Sequence, residues 1–192
     1  KMRVWIDGTD LLTRPSVATV TSNGLFASDL SGWSDAGDSG TASGWAAGGY
    51  MSLLGSGFAA ARRQQSVSVA VPDRAKTHAL RIVIDRGPVV LKIGTTAGGD
   101  DLFRRAVLRG GVHSLAFAPN AATIHIEFSS SLSWPVLVDS CTFELGGGME
   151  IPTPWSSFDL IRSIRHHQSG DIIFCASNGL PQRRIERRPN GS

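Results

Sequence analysis

The sequence predicts an all-β protein, a jelly-roll β-sandwich of about eight to nine antiparallel strands flanked by pieces of a second β module. Short runs in which apolar and polar residues alternate recur from about Gly24 to Leu145, bounded by Gly, Pro, Asn or Asp. Val, Ile and Thr dominate those runs, and 22 glycines among 192 residues supply the tight turns that many short strands need. No run carries the spacing of a long helix.

In chain order, Met2 to Ile6 alternates and stops at Asp7-Gly8, a dipeptide typical of a tight turn, and Leu11-Leu12 begin a return before Pro15. This short hairpin, residues 1–16, stands outside the main module, which the sequence places at 17–145. Residues 17–22 form an extended linker or first strand leading into Asn23-Gly24-Leu25-Phe26 and then Gly32-Trp33. Residues 35–49, rich in Gly, Ser and Ala, read as a loop that contains Trp45. Residues 50–54 form a strand, and 65–71 another with Val67, Val69 and Val71 on one face.

The clearest signal lies between His78 and Gly94. Leu80, Ile82 and Ile84 alternate with polar residues, as do Val89, Leu91 and Ile93, and the two runs meet at Arg86-Gly87-Pro88. This predicts a β-hairpin with one core face and one wet face. Strands follow at 103–108, 113–117 and 123–128, where Ile124, Ile126 and Phe128 point inward, and 134–145 closes the sandwich. Gly146-Gly147-Gly148 breaks the pattern, and residues 146–192 read as a scaffold segment, an incomplete β module of propeller type. With Lys1-Met2 at one end and Asn190-Gly191-Ser192 at the other, the chain reads as a piece of a longer polypeptide.

Charge and composition remove several classes of function. The net charge is +3, and Arg183, Arg184, Arg187 and Arg188 set against Glu186 account for all of it, so the sandwich is near neutral and is no basic surface for nucleic acid. No apolar run reaches the ~18 residues of a membrane span. Cys141 and Cys175, the only cysteines, fall in different modules and read as buried free thiols. The chain has no G-x-S-x-G, no H-E-x-x-H and no G-K-[ST] ending to its Gly-rich stretches. Asp100-Asp101 lack a partner carboxylate for glycosidase chemistry, and His166-His167 lack further ligands at metal spacing. No catalytic constellation is present, and the protein is expected not to be an enzyme.

Two resemblances sharpen the reading. An Asn-Gly-x-Phe segment, a polar spacer, Gly-Trp and a closing strand Val136-Leu-Val-Asp-Ser-Cys-Thr-Phe143 resemble the jelly-roll carbohydrate-binding modules of cellulases and xylanases. The flanks resemble the nozzle or tail-tube structural proteins of short-tailed phages and prophages. Thr153-Pro154-Trp155, Gln168-Ser169-Gly170-Asp171, Ile172-Ile173-Phe174 and the run from Pro181 to Arg187 occupy that family's places in order, and Met2 to Gly8 is similar to its strand before the Thr-Pro segment. Gly170 stands where Ala is usual, Asn178-Gly179 replaces a His-Pro type of turn, and the jelly roll separates the two halves, which reads as an inserted module. This second resemblance implies a virion tail location after synthesis in the bacterial cytoplasm, a ring-shaped homo-oligomer, and other tail proteins as partners. A module of a secreted hydrolase is the alternative.

Host-surface polysaccharide is the further partner to weigh. A sugar offers an apolar ring face fringed by hydroxyls, which matches a flat aromatic with polar neighbours. Trp45, Tyr50 and Trp134 are the candidates, with Trp45 the strongest and with subunit packing as the competing role; Trp33 reads as core. Trp45 and Tyr50 are expected to face solvent in one groove. Asp139 falls by alternation on the face of Leu137, Cys141 and Phe143, where a carboxylate needs compensation. The first resemblance implies a structural Ca²⁺ there, with Asp29, Asp35 or Asp38 as further ligands, whereas a cap on backbone N–H groups is the other reading.

Overall fold

Each alternation in the sequence becomes a strand with one buried face. The computed structural model describes residues 2–3, 5–6 and 10–187. The chain opens with β1 (Met2–Arg3), β2 (Trp5–Ile6), β3 (Asp10–Leu11) and β4 (Thr13–Arg14). Then come β5 (Ser34–Asp35), β6 (Ala42–Ala46), β7 (Tyr50–Leu54), β8 (Ala61–Ser68), β9 (His78–Arg86), β10 (Val89–Gly94), β11 (Phe103–Leu108), β12 (Gly111–Phe117), β13 (Thr123–Ser130) and β14 (Val136–Phe143). After them stand β15 (Gly147–Gly148), β16 (Glu150–Ile151), the short helix α1 (Phe158–Arg162), β17 (Arg165–Ser169), β18 (Ile172–Ser177) and β19 (Leu180–Glu186).

Strands β5 to β14 form a jelly-roll β-sandwich of two five-stranded antiparallel sheets, ordered β11-β10-β13-β8-β5 and β12-β9-β14-β7-β6. Leu80, Ile82, Ile84, Met51, Leu53, Val136 and Val138 from the second sheet and Leu91, Ile93, Ile124, Ile126 and Phe128 from the first share one core. Each such side chain contributes roughly 1.5–3 kcal/mol when fully buried. Trp33 belongs to this core, its ring edge-on to Phe26 at 5.7 Å between centroids and its indole N–H donating to Ser22 O at 3.1 Å.

Four expectations are corrected by the topology. The predicted hairpin at 78–94 is a corner, because β9 and β10 lie in different sheets. The two apolar runs face each other across the core instead of along a ladder, and alternation fits both arrangements. Pro88 has no N–H for a ladder, and Gly87 passes so close to the next corner that a Cβ there would sit 3.1 Å from Gly110 N. The sandwich has ten strands instead of eight to nine, since the stretch read as a loop supplies the edge strands β5 and β6. Val71 is 72% exposed instead of inward, because Pro72 starts a 3-10 turn over Val71–Asp73. Asp139 is displaced from the company of Cys141 by a bulge: Val138 pairs with Ile84 and Ser140 with Val83, so the face reverses between them.

The chain divides into two compact units, Pro15–Leu145, and Lys1–Arg14 with Gly146–Ser192. In the discontinuous unit the two flanks pair with each other. Met2 and Arg3 lie opposite Ile151 and Glu150, and Thr13 and Arg14 opposite Gly148 and Gly147. The N-terminal run is therefore not a self-contained hairpin: β2 pairs with β3, while β1 and β4 take partners beyond the sandwich. The turn at Asp7-Gly8 lies outside the described residues. Strands β17, β18 and β19 make a three-stranded meander, and Ser163 Oγ at the end of α1 meets Ser177 Oγ at 2.8 Å.

Within the sandwich, the incoming and outgoing segments sit at the same end. Thr19 Oγ1 lies 2.8 Å from His78 Nε2, Ala18 N donates to Asp73 Oδ2 at 2.7 Å, and Lys76 Nζ donates to Ser16 O at 3.1 Å. At that same end Glu144 N donates to Ala79 O at 2.8 Å as the chain departs. The opposite end carries the corner at Arg86 and the beginning of β14, with Leu137 in register with Arg86. Nine residues of β9 separate the two ends, roughly 26 Å at strand rise.

Candidate functional site

The expected aromatic groove does not form from Trp45 and Tyr50. Trp45 is in register with Met51, and Ala46 with Tyr50. Directly opposed residues share a face and successive residues alternate, so Trp45 lies on the core side with Met51 and Tyr50 on the outer side. Trp45 occupies the edge strand, remains 43% exposed, and donates its indole N–H to Phe26 O at 2.8 Å. That carbonyl belongs to the Asn-Gly-x-Phe turn, where Phe26 holds a left-handed backbone (φ 50°) with its ring fully buried. Trp45 thus latches the turn. Tyr50 packs over Gly48, where an added Cβ would sit 2.6 Å from Tyr50 Cε2.

The outer face of the β12-β9-β14-β7-β6 sheet, which carries Tyr50, mixes polar and apolar rows, with Val112, Val83 and Ser140 forming one of them. Ser114, Arg81 and Thr142 form one cross-strand row, and Leu137 lies beside Ser52 in another. These half-buried hydroxyls and one guanidinium can hydrogen-bond a polyhydroxyl ligand. The sequence hinted at this row only through alternation, because the neighbouring strands could not be ordered from it.

Two further aromatic residues lie in adjacent loops at the end of the sandwich remote from its incoming and outgoing segments. Trp134 is 50% exposed in the loop between β13 and β14, and Phe58, in the loop between β7 and β8, is 100% exposed. Gly57 N donates to Ser131 O at 2.7 Å, and Gly55 lies so close that a Cβ would meet Ser131 C at 2.4 Å. The two loops are therefore joined backbone to backbone. The Gly55-Ser56-Gly57 run before Phe58 carries the signal of a turn and no mark of an exposed ring.

The carbohydrate-module resemblance implies calcium near Asp139. The Asp139 carboxylate accepts from Ser140 Oγ at 3.1 Å. Where the N-terminal loop meets β14, Cys141 N donates to Gly24 O at 2.7 Å and Thr21 Oγ1 to Cys141 O at 2.8 Å. Among the described residues no three His, Cys, Asp or Glu side chains converge on one point. The other loop carboxylates serve their own loops. The Ser31 N–H lowers the pKa of Asp29, the Gly37 N–H that of Asp35, and the Arg62 guanidinium that of Asp38. Asp101 caps Thr95, whose N–H lowers the carboxyl pKa, and Asp100 accepts from Arg105 N at 3.2 Å.

His166 and His167 are in register with Cys175 and Phe174, so as neighbours on β17 they point to opposite faces. Cys141 and Cys175 are buried free thiols, and burial raises the Cys141 pKa. No helix among the described residues is long and apolar enough to cross a membrane.

No protein-family model matches the sequence, and no curated protein matches it. Among solved structures, one described as "CBM4 structure and function" is similar to 66% of this chain and 99% of its own, at 16% identity and a TM-score of 0.42. The fold class rests on the sheet topology itself.

Proposed function

We propose that this chain is a non-catalytic structural protein of a phage tail, in which the sandwich is an inserted contact module. The observation that carries the reading is the pairing of the two flanks with each other, β1 with β16 and β4 with β15, on either side of the sandwich in sequence. A module joined to a secreted enzyme by linkers has no reason to knit its two linkers into common ladders. An insert in a β scaffold requires it. The order of motifs in the flanks, from Thr153-Pro154 through Gln168-Ser169 to Arg187, supports the tail assignment, and the half-buried Ile172, Ile173 and Phe174 suit a blade that packs on neighbouring blades. Ring assembly with further copies, contact with other tail proteins and a virion location belong to the same reading.

The test is composition of the particle. Mass spectrometry of purified virions or tail-like particles, followed by electron microscopy, should find this polypeptide in the tail; its absence from such particles removes the tail assignment. Glycan binding by the sandwich as a module of a secreted hydrolase is the second reading, favoured by the half-buried Arg81 and Thr142 side by side on the outer sheet face. Gene neighbours for polysaccharide degradation, in place of portal and capsid genes, would support it.

A further inference from the structure

We propose that Phe58 and Trp134 form the contact tip of the sandwich and take the apolar ring face of a neutral sugar residue. Phe58 stands fully in water on a turn whose backbone is pinned: Gly57 N to Ser131 O at 2.7 Å, Ser56 N to Ala59 O at 3.1 Å, Ala59 N to Ser56 Oγ at 3.0 Å, and Ala60 N to Asp38 Oδ2 at 2.9 Å. An ordered turn that holds a phenyl ring wholly exposed gains nothing from it in folding, since hydrophobic stabilisation comes from area removed from water. The ring is available for burial against a ligand.

Trp134 adds the second half. It follows the Ser131 tie by three residues, half its surface is open, and no acceptor among the described residues takes its indole N–H. The ligand class follows from charge. Neither loop, 55–60 or 131–135, carries an ionisable side chain, while Ser56, Ser131 and Ser133 supply hydroxyls. At this end Asp38 and Arg62 pair with each other, and Arg86, in register with Leu137, lies on β9 outside both loops. Two aromatic faces with neutral hydroxyls and a spare indole donor suit a polyhydroxyl ring with an apolar face. An anionic polymer would find no paired cation in either loop.

The proposal rests on the sandwich being a contact module, and the position of the tip fits that role. The incoming and outgoing segments hold one end of the sandwich, at Asp73, His78 and Ala79, and the loops that carry Phe58 and Trp134 occupy the other.

The experiment uses the full chain on immobilised xylan, mixed-linkage β-glucan and mannan, with polygalacturonate as the anionic control and phosphatidylcholine vesicles as the lipid control. Retention on at least one neutral polysaccharide is expected, falling at least tenfold in Phe58→Ala and in Trp134→Ala. Phe58→Ala should leave the melting temperature unchanged, which separates loss of contact from loss of fold. Retention that survives the double variant places any sugar site elsewhere on the sandwich and overturns the proposal, as does binding only to vesicles or to polygalacturonate, or to none of the probes. None of these outcomes bears on the pairing of the flanks, which is tested separately.

Discussion

Three tryptophans of the sandwich take three different roles, and the indole nitrogen distinguishes them. Trp33 spends its N–H on Ser22 O inside the core, Trp45 spends its N–H on Phe26 O at a sheet edge, and Trp134 has no acceptor among the described residues. Trp45→Phe keeps an aromatic ring at the edge and removes the donor to Phe26 O. The expected loss is about 0.5–1.5 kcal/mol, the net value of one hydrogen bond, read by urea denaturation with sugar retention unchanged. A fall in retention with unaltered stability would return Trp45 to the binding surface. Trp33 was legible from its Gly-Trp context, whereas Trp45 against Trp134 was not. Composition puts Trp45 in a loop and Trp134 at the start of the closing strand, whereas the register with Met51 assigns Trp45 to the core side of β6 and Trp134 stands in the loop before β14.

Strand existence was legible wherever alternation was strong, as in β9, β10 and β13, while partnership was not. The runs at 80–84 and 89–93 have the period of strands, but a period of two does not say whether a neighbour lies in the same sheet or across the core. The polar row of Ser114, Arg81 and Thr142 was hidden for the same reason, and the bulge that moves Asp139 away from Cys141 leaves no mark in composition. The clamp on the incoming segment makes a prediction at this scale. Asp73 is held by Lys76 Nζ at 2.7 Å and by Ala18 N, and these donors lower its pKa below the ordinary 3.8, the Lys76 hydrogen bond most strongly. A carboxyl depressed in the folded state adds stability that is fully present above its unfolded pKa and is lost as pH falls through its folded pKa. Melting temperatures from pH 6 to pH 2 should therefore show wild type above Asp73→Asn by a constant margin down to about pH 4, with the margin closing below it. A margin independent of pH would mean that the carboxylate charge does not hold the incoming segment.

At the scale of the whole chain, the division into an interrupted unit and an inserted one follows from which strands found partners. The triple glycine Gly146-Gly147-Gly148 and the change of character after it mark the boundary in the sequence, but the interleaving depends on long-range pairs such as Arg3 with Glu150, 147 residues apart. Such pairs carry no local signal. The central claim is that the flanks, on either side of the sandwich in sequence, pair with each other, and a cross-link reads it most directly. Arg3 and Glu150 are register partners with Arg3 Nε 3.5 Å from Glu150 Oε1, and both are accessible. Directly opposed strand residues have Cβ atoms about 4.5–5.5 Å apart, near the reach of a disulfide. In the double variant Arg3→Cys with Glu150→Cys, mild oxidation followed by a single proteolytic cut within the sandwich should leave both flanks on one species under non-reducing denaturing conditions, separating on reduction. Flanks that separate without reductant, in a variant whose sandwich remains folded, would contradict the account.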